Sequence, residues 1–559
     1  MSMALKLQSR IQTAFAEAVQ AAAASEGWTI SDMPVVELEI PREKAHGDLA
    51  TNLAMQLSRE VKLPPRRIAE TIIGHLETAG TFIAHLEVAG PGFINMYLSN
   101  EWLYEVLRDI ESQGTAYGCS TAGQAKKVML EFVSANPVGP MNVVNARAAA
   151  VGDTLANIMQ AAGYEVSREY YVNDAGRQAR LFGLSILARY KELAGQDAEF
   201  PEDGYPAAYV TELAKILRQE VPDLLEKSPE EQEAFCKQWG TDRMVQQQKA
   251  DLKAFGVEFD VWFRERELHK ANRLEKVIKF LEQAGFLYEE DGAIWFASSK
   301  FGDDKDRVMV KSDGVPTYLT ADVAYHWDKY RRGFDHLIDI WGPDHHGYIG
   351  RMHAAIQALG YPADSFEVII LQLVTLLRHG QKVRMSKRAG RFVAMEELLE
   401  EVGKDAARYF FLMRAPDSHL DFDLALAVEQ SQENPVYYVQ YAHARICSIL
   451  RQAEENDVRC PSIDQAALRL LQTEPEVDLI KKLAQLPEEI IQAAERREPH
   501  HIARYCHELA SSFHSFYAHC RVLGEDEALQ GARLVLLKAT RQVLQTSLGI
   551  LGVSAPEQM

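Results

Sequence analysis

Cysteine is scarce in this sequence, and its spacing excludes the common cysteine-based sites. The 559 residues include six cysteines, and no two of them have the C-x-x-C spacing typical of zinc ribbons and thioredoxin-like redox sites. They are Cys119, Cys236, Cys447, Cys460, Cys506 and Cys520. We therefore expect no zinc or other resident metal, and ordinary thiols in a reducing compartment.

Long apolar runs are also missing. No stretch resembles a transmembrane span, so we expect no membrane partner. Near the N-terminus, Leu7, Ile11, Phe15 and Val19 follow a four-residue spacing typical of an amphipathic helix. A signal peptide would need an uninterrupted apolar stretch and a small-residue cleavage site, and neither is present. These features predict a cytoplasmic protein.

Basic residues are fewer than acidic residues in this sequence. The 60 Lys and Arg residues stand against 80 Asp and Glu residues, for a net charge of −20, which argues against an indiscriminate nucleic-acid binder. Local basic clusters still permit contact with RNA, and residues 329–332 and 384–391 are examples. Such clusters are more often solvated faces than binding sites, so they allow an RNA partner without indicating one.

A chain of this length, with 47% hydrophobic residues, can bury several cores, and we expect three or four domains. The first, residues 1–115, has the mixed pattern of an α+β domain. Phe93, Asn95 and Tyr97 would share one face of a strand there. An exposed row of such side chains suits stacking on, and hydrogen bonding to, an unpaired RNA base. The residues alone favour a half-buried strand in which Asn95 closes a turn.

Strand and helix patterns alternate in residues 116–190. Residues 128–133 predict a buried strand, 142–161 an Ala-rich helix, and 166–172 a second strand that leads into another helix. This alternation predicts an α/β fold with a doubly wound parallel, Rossmann-like nucleotide-binding core. Ligands of such sheets bind beyond the carboxyl ends of the strands, where Ser134 and Asn136 fall.

The remaining chain divides into three stretches by its patterns. Residues 191–300 are charged and predict a mostly helical insertion. Residues 301–405 return to strand-like runs and predict the second half of the nucleotide-binding fold. Residues 406–559 predict an all-α bundle without strands, in which prolines separate the helices. These prolines are Pro461, Pro475, Pro487 and Pro499.

Several segments follow one another along the chain: HGDLATNLAM, AGPGFIN, SANPVGP, REYYVNDAGRQ, DGVPTYLTADVAYH, WGPDHHGY, VRMSKRAG, ENPVYYVQYAHARI and LGVSAPEQM. In this order they resemble the motifs of arginyl-tRNA synthetase, a class I aminoacyl-tRNA synthetase. The resemblance spans almost the whole chain. It implies an N-terminal tRNA-contacting domain, a catalytic fold with an MSK loop and a C-terminal anticodon-binding bundle.

The resemblance also implies a two-step reaction. Arginine attacks the α-phosphate of ATP to give arginyl-adenylate and pyrophosphate, and the arginyl group then passes to the terminal ribose of its tRNA. The implied partners are arginine, ATP, the Mg²⁺ that accompanies ATP, and the cognate tRNA for arginine. We expect the protein to work as a monomer.

An arginine pocket must satisfy a guanidinium group, which presents five donors in a rigid fork. Carboxylates are the natural partners because a bidentate pair supplies both charge and geometry. Tyr318 and Asp322 are four residues apart and would share one face of a helix, and they match the family positions that hold the substrate side chain. The resemblance places Glu131, Ser134 and Asn136 near the head group of the substrate.

A helix that begins after the turn at Pro140 would offer unpaired amide groups to a phosphate. The resemblance gives catalytic roles to Asn142, Asn145 and Lys387. It gives contacts with ATP to Pro137, Gly139, Asn142, Val144, Asn145, Gly342, Asp344, His345, Arg384, Met385, Ser386 and Lys387. It gives contacts with tRNA to Phe93 and Asn95.

The first signature departs from the family pattern. Asn142-Val143-Val144-Asn145 stands where the family usually has His-x-Gly-His or His-x-Gly-Asn. Asparagine can donate a hydrogen bond to a phosphate oxygen but carries no charge. Each replacement is therefore expected to lower the reaction rate about tenfold. The side chain of Val144 adds bulk where adenine would lie, which is expected to weaken ATP binding by about 1–3 kcal/mol. The sequence thus favours an arginine–tRNA ligase and leaves two alternatives to it. One is a catalytically impaired tRNA-binding paralogue, and the other is a class I synthetase for another amino acid.

Overall fold

The computed structural model describes residues 2–383 and 394–559. Its N-terminal part combines helices with three strands: α1 (Met3–Glu26), β1 (Leu49–Thr51), α2 (Leu53–Val61), α3 (Pro65–Gly74), β2 (Ile83–Ala89), β3 (Phe93–Leu98) and α4 (Glu101–Gln113). The strands form an antiparallel sheet in the order β1-β3-β2. Helix α1 buries Leu7, Ile11, Phe15 and Val19, which confirms the predicted amphipathic helix.

The next elements match the predicted alternation. They are β4 (Lys127–Glu131), α5 (Val143–Ala161), β5 (Glu165–Val172) and α6 (Arg177–Leu193). Strand β4 ends earlier than predicted, because Val133 and Ser134 have positive φ angles of 70° and 40° and turn the chain away from the sheet. Helix α5 begins one residue after its predicted start, with Asn142 as its N-cap.

Residues 191–300 are helical in their first part and contain strands in their second. The elements are α7 (Ala208–Glu220), α8 (Pro229–Ala254), β6 (Val261–Arg264), α9 (Glu265–Lys270), α10 (Arg273–Gln283), β7 (Leu287–Glu290) and β8 (Ala293–Phe296). The prediction of a mostly helical insertion missed β6. This strand pairs in parallel with β5 through Glu169 to Val172, so part of the stretch belongs to the core sheet.

The second half of the core follows. Its elements are β9 (Arg307–Val310), α11 (Tyr318–Arg331), β10 (His336–Trp341), α12 (Ile349–Ala358), β11 (Phe366–Ile370), β12 (Val374–Arg378), β13 (Gln381–Lys382) and α13 (Met395–Leu412). Strands β7, β8 and β9 form a small antiparallel sheet. The core sheet has the order β11-β10-β4-β5-β6, and all its neighbouring pairs are parallel.

Side chains along the central strands point alternately into two helical layers. Val128 and Leu130 face the cluster that includes α5 and α13, whereas Met129 faces the cluster that includes α11 and α12. Parallel sheets require cover on both faces because their strands are apolar on both sides. The arrangement confirms the predicted doubly wound fold.

The C-terminal part is a helical bundle preceded by one strand. Its elements are β14 (Leu420–Asp423), α14 (Leu424–Val428), α15 (Pro435–Glu455), α16 (Glu474–Arg496), α17 (His500–His519) and α18 (Glu527–Leu551). The expectation of no strand after residue 406 was wrong, because β14 pairs with β12 and buries Leu420 and Phe422. The expected helix break at Pro487 was also wrong, since this proline lies buried inside α16.

A buried arginine joins the core to the bundle. Arg408 of α13 is fully buried and donates to Asp153 Oδ2 at 2.6 Å and to the carbonyl of Leu551 at 2.8 Å. Asp153 in α5 also accepts from Arg168 of β5 at 3.1 Å. One ionic cluster therefore ties the sheet, two core helices and the end of α18 together. Among the described residues, no helix is both long enough and apolar enough to span a lipid bilayer.

Candidate active site

A cavity of about 360 Å³ opens at the carboxyl ends of β4 and β10. This is the edge where ligands of open parallel sheets bind. Acidic, phenolic and imidazole groups dominate its wall. The lining residues are Glu131, Val133, Ser134, Tyr171, Tyr318, Asp322, Tyr325, His326, Asp339, Ile340, Trp341, Gly342, His345, Tyr348 and Met352.

Helix α11 presents one face to this cavity. Tyr318, Asp322, Tyr325 and His326 lie one or two turns apart, which puts them on the same side of the helix. Tyr318 is 67% exposed and stands at the mouth of the cavity. The structure thus brings Tyr318 and Asp322 to the same cavity as Glu131 and Ser134, as the sequence led us to expect.

Asp322 is the carboxylate with the fewest partners in the wall. Its Oδ2 accepts one hydrogen bond, from the hydroxyl of Tyr348 at 2.5 Å. Burial raises the pKa of Asp322 to about 6, and the hydrogen bond from Tyr348 opposes the rise. A cationic ligand would stabilise the ionised form of such a buried carboxylate, because the ligand replaces the solvation that burial removed.

Glu131 ends β4 and is held by a strained loop. Its Oε1 accepts from the Ser134 hydroxyl at 2.9 Å, and Ser134 Oγ accepts from the amide of Tyr171 at 3.0 Å. The left-handed φ angles of Val133 and Ser134 cost on the order of 1–3 kcal/mol each. Backbone strain of this kind is commonly found at functional sites, and here it aims Ser134 back at Glu131.

A buried charge network lies behind the wall. Lys329 Nζ donates to Glu131 Oε2 at 2.6 Å and to Asp339 Oδ1 at 2.9 Å. Asp339 Oδ2 is 2.8 Å from His326 Nε2. Burial by itself raises the pKa of Asp339, but the charges of Lys329 and His326 hold it well below its ordinary value. Asp339 is therefore ionised.

This network corrects the view of residues 329–332 as a surface cluster. Lys329 and Tyr330 are buried, and Arg332 forms two hydrogen bonds with Glu169, at 2.5 and 2.8 Å. Charge in a sequence cannot show which side of a helix faces the sheet. Lys329 and Tyr330 therefore lie in the interior of the protein, where RNA cannot contact them, whereas Arg332 is exposed although it is paired with Glu169.

Sequence analysis missed two acidic residues, Asp339 in the cavity wall and Glu265 close to the cavity. Glu265, the first residue of α9, is 6% exposed, and its charge contributes to the raised pKa of Asp322. Burial also raises the pKa of Glu265 itself. The residue stands in the charged stretch RERELHK, where nothing in the pattern separates it from the acidic residues of solvated helices.

The N-terminus of α5 is closed by two asparagines. Asn142 Oδ1 accepts from the amides of Val144 and Asn145 at 2.9 and 3.1 Å, and Asn145 Oδ1 accepts from the amide of Asn142 at 3.0 Å. This is a capping box. It uses the oxygens of both side chains and leaves their amide groups as the available donors. Helix α5 approaches β4 closely because Gly152 leaves room for the Phe132 ring, which a Cβ would meet at 2.2 Å.

The other predicted residues are distributed around the cavity. Gly342 and His345 line it, whereas Asp344 is exposed beside them. Asn136 is exposed and donates to Gln178 at 2.8 Å, so it does not point at the cavity in this conformation. Pro137, Gly139 and Val144 flank the N-terminus of α5 and are not among the described lining residues. The predicted residues Arg384, Met385, Ser386 and Lys387 lie outside the described residues.

The expected exposed row in the N-terminal sheet is not formed. Asn95 is 3% exposed and Phe93 is half-buried. Strand β3 is the central strand, with Ala50 and Glu87 opposite Asn95 on its two neighbours. A central position covers a side chain that an edge strand would expose. The expectation of a half-buried strand in which Asn95 closes a turn was also wrong for Asn95, which is buried in the middle of β3.

An aromatic surface on the C-terminal bundle was not singled out from the sequence. Tyr437 and Tyr441 of α15 stack with ring centroids 6.0 Å apart, and Arg445 lies over the rings of Tyr441 and Tyr517 at 5.1 and 5.4 Å. We call Tyr437, Tyr438, Tyr441, Arg445, His514 and Tyr517 the α15–α17 aromatic surface. Its signal was present in ENPVYYVQYAHARI, where Tyr437, Tyr441 and Arg445 recur at four-residue spacing.

Other clefts and clusters carry less chemistry. A wider groove of about 570 Å³ beside α8 contains Arg264 and Arg266, but both pair with Asp174 and Asp242. Among the described residues, one group of three close metal-ligand side chains exists, Glu498, His500 and His501. It lies at the start of α17, outside the cavity.

Within the cavity wall, the carboxylates Glu131 and Asp339 already bind Lys329, so both are paired with a cation of the protein itself.

Comparison with known proteins agrees with this arrangement. The family described as "tRNA synthetases class I (R), catalytic domain" matches residues 107–415. The "Arginyl tRNA synthetase N terminal domain" matches residues 9–98, and the "DALR anticodon binding domain" matches residues 439–559. The three matches follow the order of the N-terminal sheet, the doubly wound core and the helical bundle.

Individual relatives resemble the chain along its whole length. It is 50% identical over 554 residues to an arginine–tRNA ligase of Symbiobacterium thermophilum, covering 99% of each protein. It is 47% identical over 560 residues to that of Moorella thermoacetica, covering 100% of each. The fold is that of Thermus thermophilus arginyl-tRNA synthetase, with a TM-score of 0.75 at 24% identity, covering 98% of this chain and 100% of that one. The chain therefore belongs to the arginyl-tRNA synthetase family of class I aminoacyl-tRNA synthetases.

Proposed function

We propose that this protein attaches arginine to its tRNA at the expense of ATP. The observation that carries the proposal is the acidic cavity at the carboxyl edge of the sheet, with Asp322 in its wall and the N-terminus of α5 beside it. In the first step an oxygen of the arginine carboxylate attacks the α-phosphate of ATP, and the bond to pyrophosphate breaks. In the second step a hydroxyl of the terminal ribose takes the arginyl group and AMP leaves.

Arginine selection follows from the carboxylates of the cavity. Asp322 accepts one hydrogen bond and has free lone pairs for a guanidinium fork. Tyr318 stands over the entrance as a ring on which a guanidinium can stack. Glu131 and Ser134, at the end of β4, face the same cavity and are placed to bind the α-ammonium group. A lysine side chain would reach Asp322 with a single ammonium and leave part of the site unpaired.

ATP binding follows from the N-terminus of α5. The helix is 19 residues long and directs the positive end of its dipole toward the carboxyl edge of the sheet. The expected unpaired backbone amide groups of Val144 and Asn145 are not free, because both donate to Asn142 Oδ1. The side-chain amide groups of Asn142 and Asn145 are available to donate to phosphate oxygens. Gly342 and His345 line the side of the cavity nearest β10, where we place the adenosine. Lys387 would supply the charge that stabilises the leaving pyrophosphate.

Transfer RNA binding follows from the α15–α17 aromatic surface. Half-exposed tyrosines and an arginine suit the stacking of unpaired bases, and the surface from Tyr441 onward lies in the region matched by an anticodon-binding domain. A chain with a net charge of −20 needs such a local surface, because its average field repels RNA. Phe93 is half-buried and Asn95 is buried in the N-terminal sheet, so we place the main contact with tRNA on the α15–α17 aromatic surface.

Four further expectations form part of the same proposal. Mg²⁺ accompanies ATP and binds mainly through phosphate oxygens and water, as is usual for this ion. No zinc is required. The protein works as a monomer, and it works in the cytoplasm. Of the predicted domain boundaries, we keep the one at residue 115, whereas those at 190 and 405 fall inside α6 and α13, and β6 joins part of 191–300 to the core sheet.

A charging assay tests the proposal. Purified protein is mixed with radiolabelled amino acid, ATP, Mg²⁺ and total tRNA, and acid-precipitable label is counted. We expect charging with arginine and none with lysine or glutamine. Charging with another amino acid would identify a different class I synthetase. No charged tRNA at high protein concentration, together with retained tRNA binding, would identify a non-catalytic paralogue.

The arginine pocket has its own matched pair of variants. Asp322→Asn removes the charge that meets the guanidinium, so we expect KM for arginine to rise about a hundredfold while KM for ATP changes little. Asp328→Asn is the control, because Asp328 lies on the same helix but pairs with Arg273 and Arg332 outside the cavity. Equal losses for arginine and ATP in Asp322→Asn would contradict the pocket assignment.

A further inference from the structure

The turn that follows β4 is held by the helices α7 and α8 as well as by the core sheet. This turn, residues 134–140, contains Asn136 and Gly139, which the sequence predicts to contact arginine and ATP. Three of its carbonyl groups, those of Ala135, Asn136 and Val138, accept hydrogen bonds from side chains outside the turn. Two of these side chains belong to α7 and α8, to which the proposed chemistry gives no role.

Tyr209, in the first turn of α7, binds the part of this turn that is farther from β4. Its hydroxyl donates to the carbonyl of Val138. Burial raises the pKa of Tyr209, so the hydroxyl keeps its proton and acts as a donor. The side chain of Val138 packs against the apolar core that α6, α7 and α8 share. The turn therefore meets these helices through a polar and an apolar contact at the same residue.

Gly139 leaves the room that Tyr209 needs. A Cβ at Gly139 would lie 3.2 Å from the hydroxyl oxygen of Tyr209, which is closer than Cβ atoms normally pack. Any larger residue would therefore push against the phenol or displace the turn. Gly139 is not among the glycines with a positive φ angle, so the neighbouring phenol, and not the backbone conformation, accounts for the small residue.

Tyr170 and Gln248 hold the part of the turn that is nearer to β4. Tyr170 of β5 is fully buried, and its hydroxyl lies 3.0 Å from the carbonyl oxygen of Ala135. Gln248 of α8 is also fully buried, and its Nε2 donates to the carbonyl of Asn136 at 3.2 Å. Its Oε1 lies 3.1 Å from the Tyr170 hydroxyl, which joins the two anchors. The turn is thus fixed on both sides of its centre.

The bond from Tyr209 also determines which way one amide of the turn points. In a trans peptide unit the C=O group and the following N–H group point in opposite directions. A Val138 carbonyl directed at α7 therefore directs the amide of Gly139 away from α7. Within the part of the chain that the structure describes, this amide donates to no other group of the protein. It is a backbone donor that the turn can offer to a ligand.

We propose that Tyr209 is a positioning residue of the reaction, through which α7 fixes the turn after β4 and the donors that this turn offers to the substrates. The inference rests on the proposed function, because it assumes that the turn meets arginine and ATP. It gives α7 a part in catalysis, although the described residues that line the cavity include none from α7. Tyr209 acts through the Val138–Gly139 peptide and not by contact with a substrate.

Tyr209→Phe tests this role with the smallest change. It removes the hydroxyl and keeps the ring that packs on the apolar core of the three helices. One hydrogen bond is lost, and groups at a reacting centre tolerate little displacement. We expect kcat/KM for charging to fall about five- to tenfold with respect to both arginine and ATP, while KM for tRNA stays unchanged. Charging with each substrate varied in turn measures these values.

Tyr190→Phe is the matched control. Its hydroxyl donates to the carbonyl of Val221 at 2.8 Å, in the same apolar core but away from the turn. The variant loses the same kind of bond and should keep the charging kinetics of the parent protein. Thermal unfolding compares the stability of the two variants. Equal losses of charging in both, or a loss in Tyr209→Phe that only follows its unfolding, would leave Tyr209 a structural role and overturn the proposal.

A double-mutant cycle with Gly139→Ala tests whether the hydroxyl acts on this peptide. In the parent the alanine meets the Tyr209 hydroxyl, whereas in Tyr209→Phe that hydroxyl is gone. A direct effect of the alanine on a ligand is common to both backgrounds and cancels in the cycle. We expect Gly139→Ala to lower kcat/KM by a smaller factor in the Tyr209→Phe background than in the parent. Strictly additive losses would contradict a role through this peptide.

The parent protein separates failure of this inference from failure of the proposed function. If the parent charges no tRNA with arginine, the proposed function is wrong, and the role of Tyr209 that rests on it falls as well. If the parent charges tRNA with arginine and Tyr209→Phe does so with the same kcat/KM, the proposed function stands. Only the role of Tyr209 is then wrong.

Discussion

At the scale of single residues, the chemistry of the cavity is set by which carboxylates already have a cation. Glu131 and Asp339 share Lys329, and Glu169 is paired with Arg332. Asp322 instead accepts a hydrogen bond from the neutral phenol hydroxyl of Tyr348. A buried carboxylate partnered by a neutral donor is unstable as an anion until a cation arrives. The cavity is therefore complementary to a cation at that one position.

This state of Asp322 predicts a pH dependence. The pKa of Asp322 in the free protein is raised to about 6, and a guanidinium binds its ionised form. Arginine affinity is therefore fully present above pH 6 and falls below it, approaching about tenfold for each pH unit. Titration of the arginine Kd between pH 5 and 8 measures this. Asp322→Asn is the control, and a fall of similar size in that variant would assign the titration to another group.

At the scale of elements, α5 shows how one motif serves two purposes. Asn142 and Asn145 close the capping box that forms the first turn, and the same side chains hold the amide donors proposed to contact ATP. The departure from the usual histidines therefore has a structural counterpart. Asparagine is among the best N-cap residues, because its short side chain reaches the amides of the first turn.

Two substitutions separate capping from phosphate contact. Asn142→Ala removes both, so we expect a loss of about 1 kcal/mol in stability and a rate about tenfold lower. Asn142→Ser keeps a capping oxygen without the amide, so stability should return while the rate stays low. Thermal unfolding and the charging rate measure the two effects. Recovery of the rate in Asn142→Ser would show that the asparagine acts through the cap alone.

The family signature can also be restored. Asn142→His with Val144→Gly should leave the charging rate similar or higher, because a histidine adds a chargeable donor and a glycine opens space for the nucleotide. Glycine near the start of α5 costs up to about 1 kcal/mol in helix stability, which thermal unfolding detects. A collapse of the rate with stability intact would instead reveal an ATP site adapted to Val144.

The proposed contact with tRNA is tested on the helices α15 and α17. Arg445→Ala removes the cation that lies over Tyr441 and Tyr517. We expect KM for tRNA to rise by a factor corresponding to about 1–3 kcal/mol, with KM for arginine and ATP unchanged. Charging at varied tRNA concentration measures this. Arg451→Ala, six residues later on the same helix, is the control for a general loss of positive charge.

At the scale of the whole molecule, ionic contacts that differ in burial join the parts of the described chain. Arg408 is fully buried and links α5, α13 and the end of α18. Lys44 of the N-terminal part meets Glu474 and Asp478 of α16 at 2.5 and 2.6 Å, but its side chain is 68% exposed. Exposed pairs contribute little because solvent already stabilises the separated charges.

These two contacts predict different costs. Arg408→Ala leaves Asp153 buried without one of its partners and should cost about 3–5 kcal/mol, whereas Lys44→Ala should cost at most about 1 kcal/mol. The midpoint of thermal unfolding for the two variants measures the difference. Comparable midpoints would mean that the core and the bundle do not depend on the Arg408 cluster.

The sequence by itself determined the features that depend on local order. The alternation from residue 128 to 172 predicted β4, α5 and β5, because strand and helix periods are properties of neighbouring residues. The four-residue spacing of Tyr318 and Asp322 placed both on one face of α11 for the same reason. The order of the motifs carried the family resemblance.

Only the tertiary structure decided which side chains are buried together. Lys329 belongs to a basic cluster in the sequence but is buried in α11 against residues of β4 and β10. Asn95 was expected in a half-buried strand and is buried in a central one. Strand β6 and Glu265 lie in a stretch that reads as helical and solvated. Burial depends on what packs across from a residue, and that partner can stand hundreds of positions away, as Glu131 is 198 residues from Lys329 and Asp153 is 255 residues from Arg408. Local spacing carries no information about such partners, so the charge balance of the cavity appears only in the folded chain.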